Sequence, residues 1–76
     1  KPMFTRNGFN VYPRELEAAI GELAGVEHVT VSPIERDERD TDIAVTYTGG
    51  PTPDDVRAWC ATRLSVYKQP TVIERR

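Results

Sequence analysis

The sequence predicts an α+β domain in which a small antiparallel sheet is covered on one face by two helices and preceded by a short β-hairpin. Three observations support this class. An Asn-Gly turn stands at positions 7–8, and clear helix starts occur near residues 13 and 52. Segments 27–32 and 43–48 alternate apolar and polar residues with the period of two that is typical of half-buried strands. The 76 residues fit one small domain.

The composition excludes several classes of function. The net charge is −2 with acids and bases interspersed, so we expect no binding to nucleic acid, which needs a basic surface. One cysteine and one histidine cannot form a zinc site, and no metal site is predicted. The single cysteine is typical of a reducing, cytoplasmic compartment. No apolar run approaches the roughly 20 residues that span a bilayer, so no transmembrane segment is predicted.

The first element is the hairpin around Asn7 and Gly8. Asparagine tolerates a positive φ and glycine adopts one freely, which suits the turn of a two-residue hairpin. The residues on either side are apolar and are placed to pair across the turn: Met3 and Phe4 with Val11 and Tyr12.

The first helix is predicted to run from Pro13 to about Ala24. Proline fits the first helical position, where no N–H is needed, and the acids Glu15 and Glu17 complement the positive end of the helix dipole. Gly25 is then expected to end the helix in a left-handed conformation. The predicted buried stripe has the helical spacing and consists of Leu16, Ala19, Ile20 and Leu23.

Two strands follow, and we expect them to pair antiparallel. In segment 27–32 the valines point to one face, while His28 points to the other. With no serine, cysteine or carboxylate pattern around it, His28 is interpreted as a half-exposed structural residue and not as a catalytic base. Residues 35–42 are charged throughout and predict a solvated loop or hairpin tip. They lack the central glycine and terminal glutamate of a calcium loop.

The second helix has the clearest start in the chain. Thr52 is the expected cap, Pro53 takes the first helical position, and two aspartates follow. Its predicted apolar stripe consists of Val56, Trp59, Cys60 and Leu64. Cys60 is therefore interpreted as a small core residue and not as a nucleophile. The helix must stop before Pro70, and residues 72–73 predict a last short strand.

Two segments resemble motifs of one enzyme family. Residues 8–17 read GFNVYPRELE and closely resemble the G-x-N-V-Y-P-x-E-[VL]-E signature of adenylate-forming (AMP-binding) ligases. Residues 67–70 read YKQP where the family has Y-K-x-P, and Lys1, Met3 and Phe4 stand where it often reads K-D-M-I. The resemblance spans nearly the whole chain. It identifies the chain as similar to the small, mobile C-terminal subdomain of these enzymes, of the acyl-CoA synthetase type.

The resemblance implies a reaction in two steps. A carboxylic acid and ATP, with Mg, form an acyl-adenylate, and a thioester with CoA follows. The implied partners are the large N-terminal domain of the same enzyme and either CoA or the pantetheine arm of a carrier protein. The family's catalytic lysine lies in a P-x-T-x-x-G-K segment, which residues 1–76 do not contain. We therefore expect no catalytic residue in this chain, no ATP or CoA bound by the fragment alone, and no activity of the fragment.

The resemblance also implies site residues. Gly8, Phe9 and Asn10 are predicted to border the pantetheine channel in the thioester-forming orientation, because glycine allows a close backbone approach to a ligand. The alternative is that Gly8 only makes the turn.

Three basic residues, Lys1, Arg6 and Arg14, are candidate contacts for the phosphates of CoA, or else solvated surface residues. Two departures from the family bear on how the domain rotates. Pro2 replaces a common aspartate next to the expected hinge, and residues 35–42 lack the P-D-E-x-x-G-E pattern.

An alternative function from another class is a small non-catalytic regulatory or protein-binding α+β module. A βαββαβ ligand-binding module would open with a strand that leads directly to its helix. Here a glycine hairpin and a Tyr-Pro pair precede the helix, which favours the ligase. An upstream domain with a phosphate-binding loop in the same reading frame would distinguish the two.

Overall fold

A computed structural model describes residues 3–36 and 41–76 of the chain. The elements in order are β1 (Phe4–Arg6), β2 (Phe9–Val11), α1 (Pro13–Gly21), β3 (Val26–Glu35), β4 (Thr41–Gly49), α2 (Pro53–Arg63) and β5 (Val72–Arg75), with a 3₁₀ turn at Val66–Lys68. Strands β1 and β2 form the hairpin, and β3, β4 and β5 form the sheet in that order. The predicted α+β class and the preceding hairpin are confirmed.

The sheet is mixed, which corrects one detail of the predicted architecture. Strands β3 and β4 pair antiparallel, as predicted, with Val31 opposite Val45. Strand β5, however, lies parallel to β4, with Ile73 opposite Val45. The reason is the intervening helix: α2 carries the chain back along the sheet, and a crossover of this kind brings the next strand in parallel.

The charge-rich segment 35–42 is less of a loop than predicted. Strand β3 continues to Glu35 and β4 begins at Thr41, with Ile34 paired opposite Asp42. Ile34, near the end of β3, is half-buried. Arg36 donates a hydrogen bond to the carboxylate of Asp42 and holds the pKa of that carboxyl group below its ordinary value. The tip, residues 37–40, lies outside the described residues.

The core lies between one face of the sheet and the two helices. The buried side chains are Val11, Leu16, Ile20, Val31, Ile43, Val45, Tyr47, Val56 and Cys60. The alternation predicted for residues 43–48 is confirmed, because Ile43, Val45 and Tyr47 are all buried. His28 lies exposed on the opposite face. Within residues 3–36 and 41–76, neither helix has the length and apolar character needed to cross a membrane.

Both helices begin where predicted, and α2 ends before Pro70 as predicted, whereas α1 ends earlier. Pro13 opens α1, and Thr52 caps α2 in a reciprocal capping box with Asp55. Helix α1 stops at Gly21 instead of near Ala24. The chain then makes a non-helical turn to Gly25, which has the predicted positive φ, at 97°. The last helical residue is Gly21, and glycine has a low helix propensity.

Trp59 is not a core residue as predicted but lies partly exposed where the two helices meet. Its indole Nε1–H donates to the carbonyl oxygen of Ala19 in α1 at 2.8 Å, and the guanidinium group of Arg63 lies 3.5 Å from the ring centroid. Because the indole N–H needs a hydrogen-bond acceptor, Trp59 lies at the edge of the core and not inside it. Cys60 is fully buried, and burial raises the pKa of its thiol, so its interpretation as a core residue is confirmed.

Candidate functional site

The hairpin turn has the geometry predicted for Asn7 and Gly8. Arg6 pairs with Phe9, which leaves these two residues as the turn. Both have positive φ, 52° at Asn7 and 82° at Gly8, as in the primed turns that suit two-residue hairpins. A Cβ atom on Gly8 would meet nothing within 4 Å. The conformation itself therefore requires a residue such as glycine, and the space beside it is open.

Phe9 connects the hairpin to a distant segment of the chain. Its side chain is 53% exposed, yet its ring stacks on that of Tyr67 with centroids 4.5 Å apart and planes at 21°. Asn10 is exposed and pairs with Thr5 across the hairpin. The three predicted channel residues, Gly8, Phe9 and Asn10, therefore lie together on a surface hairpin. Their contact with a pantetheine arm stays a prediction.

Arg6 makes several contacts inside the domain. Its Nη1 donates to the carbonyl oxygens of Tyr67 at 3.3 Å and of Gln69 at 2.5 Å. Its Nη2 lies 4.0 Å from the carboxylate of Asp42, and its side chain is only 16% exposed. A phosphate contact by Arg6 would require these interactions to break, so the structure favours a structural role for this residue.

The other two candidate phosphate contacts differ in position. Arg14 is exposed in the first turn of α1, close in sequence to the hairpin. Lys1 lies outside the described residues, as does Pro2. Of the two candidates within the described residues, Arg6 is bound inside the domain and Arg14 lies on an open surface.

Residues 67–70 contact both the end of α2 and the hairpin, and the sequence did not predict these contacts. We call residues Tyr67–Pro70 the YKQP segment. Gln69 donates from Nε2 to the carbonyl oxygens of Cys60, at 2.9 Å, and Leu64, at 2.7 Å, and so satisfies the end of α2. Pro70 is buried. The segment therefore fixes the end of α2 while Tyr67 reaches the hairpin.

Lys68 joins the YKQP segment to α1. Its ammonium group lies 2.6 Å from a carboxylate oxygen of Glu15, and its side chain is 18% exposed. The hydrogen bond to Glu15 raises the pKa of Lys68. The two motif segments at residues 8–17 and 67–70 are therefore neighbours in space, joined by an aromatic stack and by this ion pair.

The Lys68–Glu15 pair predicts a pH-dependent contribution to stability. Because the pKa of Lys68 is raised in the folded state, the contribution is present below the ordinary lysine pKa of about 10.4 and is lost as the pH rises through the raised value. Glu15 is 55% exposed, so solvent screening limits the effect to less than about 1 kcal/mol. Urea unfolding should show Lys68→Gln slightly less stable than the parent at neutral pH, with a difference that shrinks on strong alkalinisation.

Lys68→Arg is the matched control, since it keeps a positive charge at every pH used. A gap between parent and Lys68→Gln that stays constant up to strongly alkaline pH would show that the ion pair is not its cause.

Comparison with known proteins shows which enzymes the chain is similar to. No family model matches the chain. A CoA ligase of Rhodococcus jostii (strain RHA1), 3-[(3aS,4S,7aS)-7a-methyl-1,5-dioxo-octahydro-1H-inden-4-yl]propanoyl:CoA ligase, is 40% identical over 75 residues. The match takes in 92% of this chain and 14% of the relative. The chain thus spans about one seventh of the length of this relative.

Solved structures agree with this relationship. A Mycobacterium tuberculosis fatty acyl CoA synthetase superimposes with a TM-score of 0.86 at 27% identity, covering 97% of this chain and 15% of that protein. An o-succinylbenzoate CoA synthetase from Bacillus subtilis, bound with its product analogue, gives a TM-score of 0.87 at 22% identity, covering 97% and 16%. At this lower identity the second likeness shows the fold alone.

The motif resemblance and the similarities lead to the same group of enzymes. Residues 8–17 and 67–70 carry its two motifs, and the structure brings them into contact through Phe9 and Tyr67. The relatives named as CoA ligase and fatty acyl CoA synthetase match over nearly all of this chain. Over nearly all of its length, the chain is thus similar to one part of adenylate-forming ligases of the acyl-CoA synthetase type.

Proposed function

We propose that this chain is the C-terminal domain of an ATP-dependent acyl-CoA synthetase. The enzyme converts a carboxylic acid and ATP into an acyl-adenylate and then transfers the acyl group to CoA. The observation that carries the proposal is the 40% identity to a CoA ligase over 92% of this chain. The partner of the domain is then the large N-terminal domain of the same enzyme, which holds Mg-ATP and the acid.

The first step makes demands that these residues do not meet alone. A carboxylate oxygen attacks the α-phosphorus of ATP, a P–O bond forms, and pyrophosphate leaves. Such a step needs positive charge on the phosphates and close alignment of the reactants. We propose that the lysine for this step lies beyond residue 76 in the full-length enzyme. Lys68 is paired with Glu15, and we do not assign that role to it.

The second step is the one in which we place the hairpin. The thiolate of CoA attacks the acyl carbonyl carbon, the C–S bond forms, and AMP leaves with the bonding electron pair of the C–O bond. A long flexible thiol arm must be guided to the carbonyl carbon, so its path has to be narrow and defined. Gly8, Phe9 and Asn10 are proposed to line this path, with CoA or a carrier-protein arm as acceptor.

Two features of the hairpin and one of the start of α1 support this role. The space beside Gly8 is open, so a ligand can approach its backbone closely. Phe9 offers an exposed apolar ring beside it, and Tyr67 holds that ring in place. Arg14 is an exposed cation near the start of α1 and is proposed to meet a phosphate of CoA. For Arg6 the same role would cost its three internal partners.

The proposal is tested on the full-length protein. Purified enzyme should exchange labelled pyrophosphate into ATP when a suitable carboxylic acid is present, and should form acyl-CoA when CoA is added. The isolated 76-residue chain, given ATP, CoA and a panel of acids, should release no pyrophosphate. Absence of both reactions in the full-length protein would favour the non-catalytic module. Turnover by the isolated chain would contradict the assignment of the first step to residues outside it.

A further inference from the structure

Both residues that flank the turn of the hairpin contact one distant segment of the chain, and Arg6 also lies 4.0 Å from the carboxylate of Asp42. The two residues that flank the turn are Arg6 and Phe9. Phe9 stacks on the ring of Tyr67, and Arg6 donates to the carbonyl oxygens of Tyr67 and Gln69. Both flanking residues therefore depend on the YKQP segment, which lies about 60 residues further along the chain.

The hairpin needs this support. Its strands have three residues each, and an isolated two-stranded hairpin is at best marginally stable in water. At its base, Val11 is fully buried and Phe4 is partly buried against the core. Towards the turn, Phe9 and Asn10 are exposed. The base is thus anchored by burial, whereas the turn depends on the contacts of Phe9 and Arg6.

The YKQP segment is itself firmly attached to the domain. Gln69 donates to two carbonyl oxygens at the end of α2, and Lys68 pairs with Glu15 of α1. Pro70 is buried, and its carbonyl oxygen accepts from Arg57. The YKQP segment therefore connects the turn to the rest of the domain. Within this segment, the ring of Tyr67 is the side chain that contacts Phe9.

We propose that Tyr67 is a positioning residue for the thioester-forming step. This inference rests on the proposed function, in which the Gly8 turn borders the path of the pantetheine arm. Tyr67 itself touches no reacting atom. By stacking on Phe9, Tyr67 holds the turn in a fixed position, so that the hairpin borders the path of the pantetheine arm at a defined place. Adenylate formation does not involve this hairpin surface and does not depend on the Tyr67 ring.

The chain allows the ring to be tested separately from the backbone. Arg6 binds the backbone carbonyl oxygens of residues 67 and 69, so Tyr67→Ala removes the stack and keeps acceptors for Arg6. Tyr67 is partly buried and packs against the core, so the truncation also removes some apolar contacts. Tyr67→Phe keeps an aromatic ring and serves as the conservative control.

The experiment measures both half-reactions in the full-length enzyme. In Tyr67→Ala the turnover number for acyl-CoA formation should fall about tenfold, because misplacement of a positioning group reduces productive encounters steeply. Acid-dependent pyrophosphate exchange should stay within about twofold of the parent. Tyr67→Phe should restore acyl-CoA formation to near the parental rate, since the stack is kept.

A second readout follows the hairpin without reference to activity. Trypsin cleaves after arginine, and the Arg6–Asn7 bond lies at the turn. Loss of the stack on Phe9 should loosen the turn in Tyr67→Ala and speed cleavage at this bond in the full-length enzyme, while Tyr67→Phe should be cleaved at the parental rate. Mass spectrometry of the early fragments identifies the site.

The outcomes separate this inference from the proposed function. A parent enzyme that forms no acyl-CoA overturns the proposed function and the inference with it. An active parent with an unaffected Tyr67→Ala variant, or with equal losses in both half-reactions, overturns the positioning role alone. A loss that Tyr67→Phe shares would show that the hydroxyl group, and not the stack, is responsible, and would also overturn it.

Discussion

Gly49→Ala should destabilise the domain by about 3 kcal/mol or more, enough to unfold most of a chain of this size at room temperature. Gly49 has a φ of +132°, a conformation that residues with a side chain rarely adopt. A Cβ atom there would lie 2.0 Å from the carbonyl oxygen of Gly25 and 3.0 Å from the Cα atom of Val26. Both are backbone atoms, at the point where β4 ends beside the start of β3, so neither can move aside cheaply.

The neighbouring glycine supplies the control. A Cβ atom on Gly50 would meet nothing within 4 Å, so Gly50→Ala should change the free energy of unfolding by less than about 1 kcal/mol. Urea unfolding of the two variants, followed by circular dichroism, compares substitutions one residue apart. Equal urea midpoints for Gly49→Ala and Gly50→Ala would show that the end of β4 does not lie as close to the backbone of Gly25 as described.

Gly8→Leu in the full-length enzyme should depress acyl-CoA formation far more than adenylate formation, by about 100-fold against a few-fold. A side chain at Gly8 enters the open space beside the turn, where we place the pantetheine arm. It also strains the turn by about 1–2 kcal/mol, because φ is +82°. Acyl-CoA product and pyrophosphate exchange, measured separately, report the two steps.

Asn7→Gly is the matched control for this substitution. It alters the other turn residue, whose φ of +52° suits glycine, and adds no atoms. Both half-reactions should then stay near the parental rate. Loss of acyl-CoA formation in Asn7→Gly as large as in Gly8→Leu would trace the effect to the conformation of the turn. Equal loss of both steps in Gly8→Leu would restrict Gly8 to folding.

Local sequence signals predicted the elements well. The Asn7-Gly8 turn, the proline at the start of α1 and the capping residue Thr52 each act on a few adjacent residues, so their outcome can be inferred without the rest of the fold. The alternation along residues 43–48 predicted the buried face of β4 for the same reason.

Long-range features were beyond such reasoning. The parallel placement of β5 depends on the path of α2, which residues 72–75 do not encode locally. Trp59 has the spacing of a buried stripe, yet its indole N–H takes it to the carbonyl oxygen of Ala19, 40 residues away.

The candidate site shows the same division. The Asn7-Gly8 turn signal placed Gly8, Phe9 and Asn10 on one hairpin, and the structure agrees. The support behind them, from Tyr67 and from Arg6, joins residues more than 50 positions apart and leaves no periodic pattern in the sequence. Arg6 was considered for a phosphate contact because its charge was visible in the sequence and its internal acceptors were not.

The most direct test of the account supplies the acyl-adenylate ready-made, which bypasses the first step and the lysine assigned to it. Full-length enzyme and a truncated enzyme that lacks this domain are each given acyl-adenylate and CoA. We expect the full-length enzyme to form acyl-CoA and the truncated enzyme to do so at least about 100-fold more slowly, because nothing then aligns the thiol with the acyl carbonyl. Transfer at the full rate without the domain would contradict its role in thioester formation.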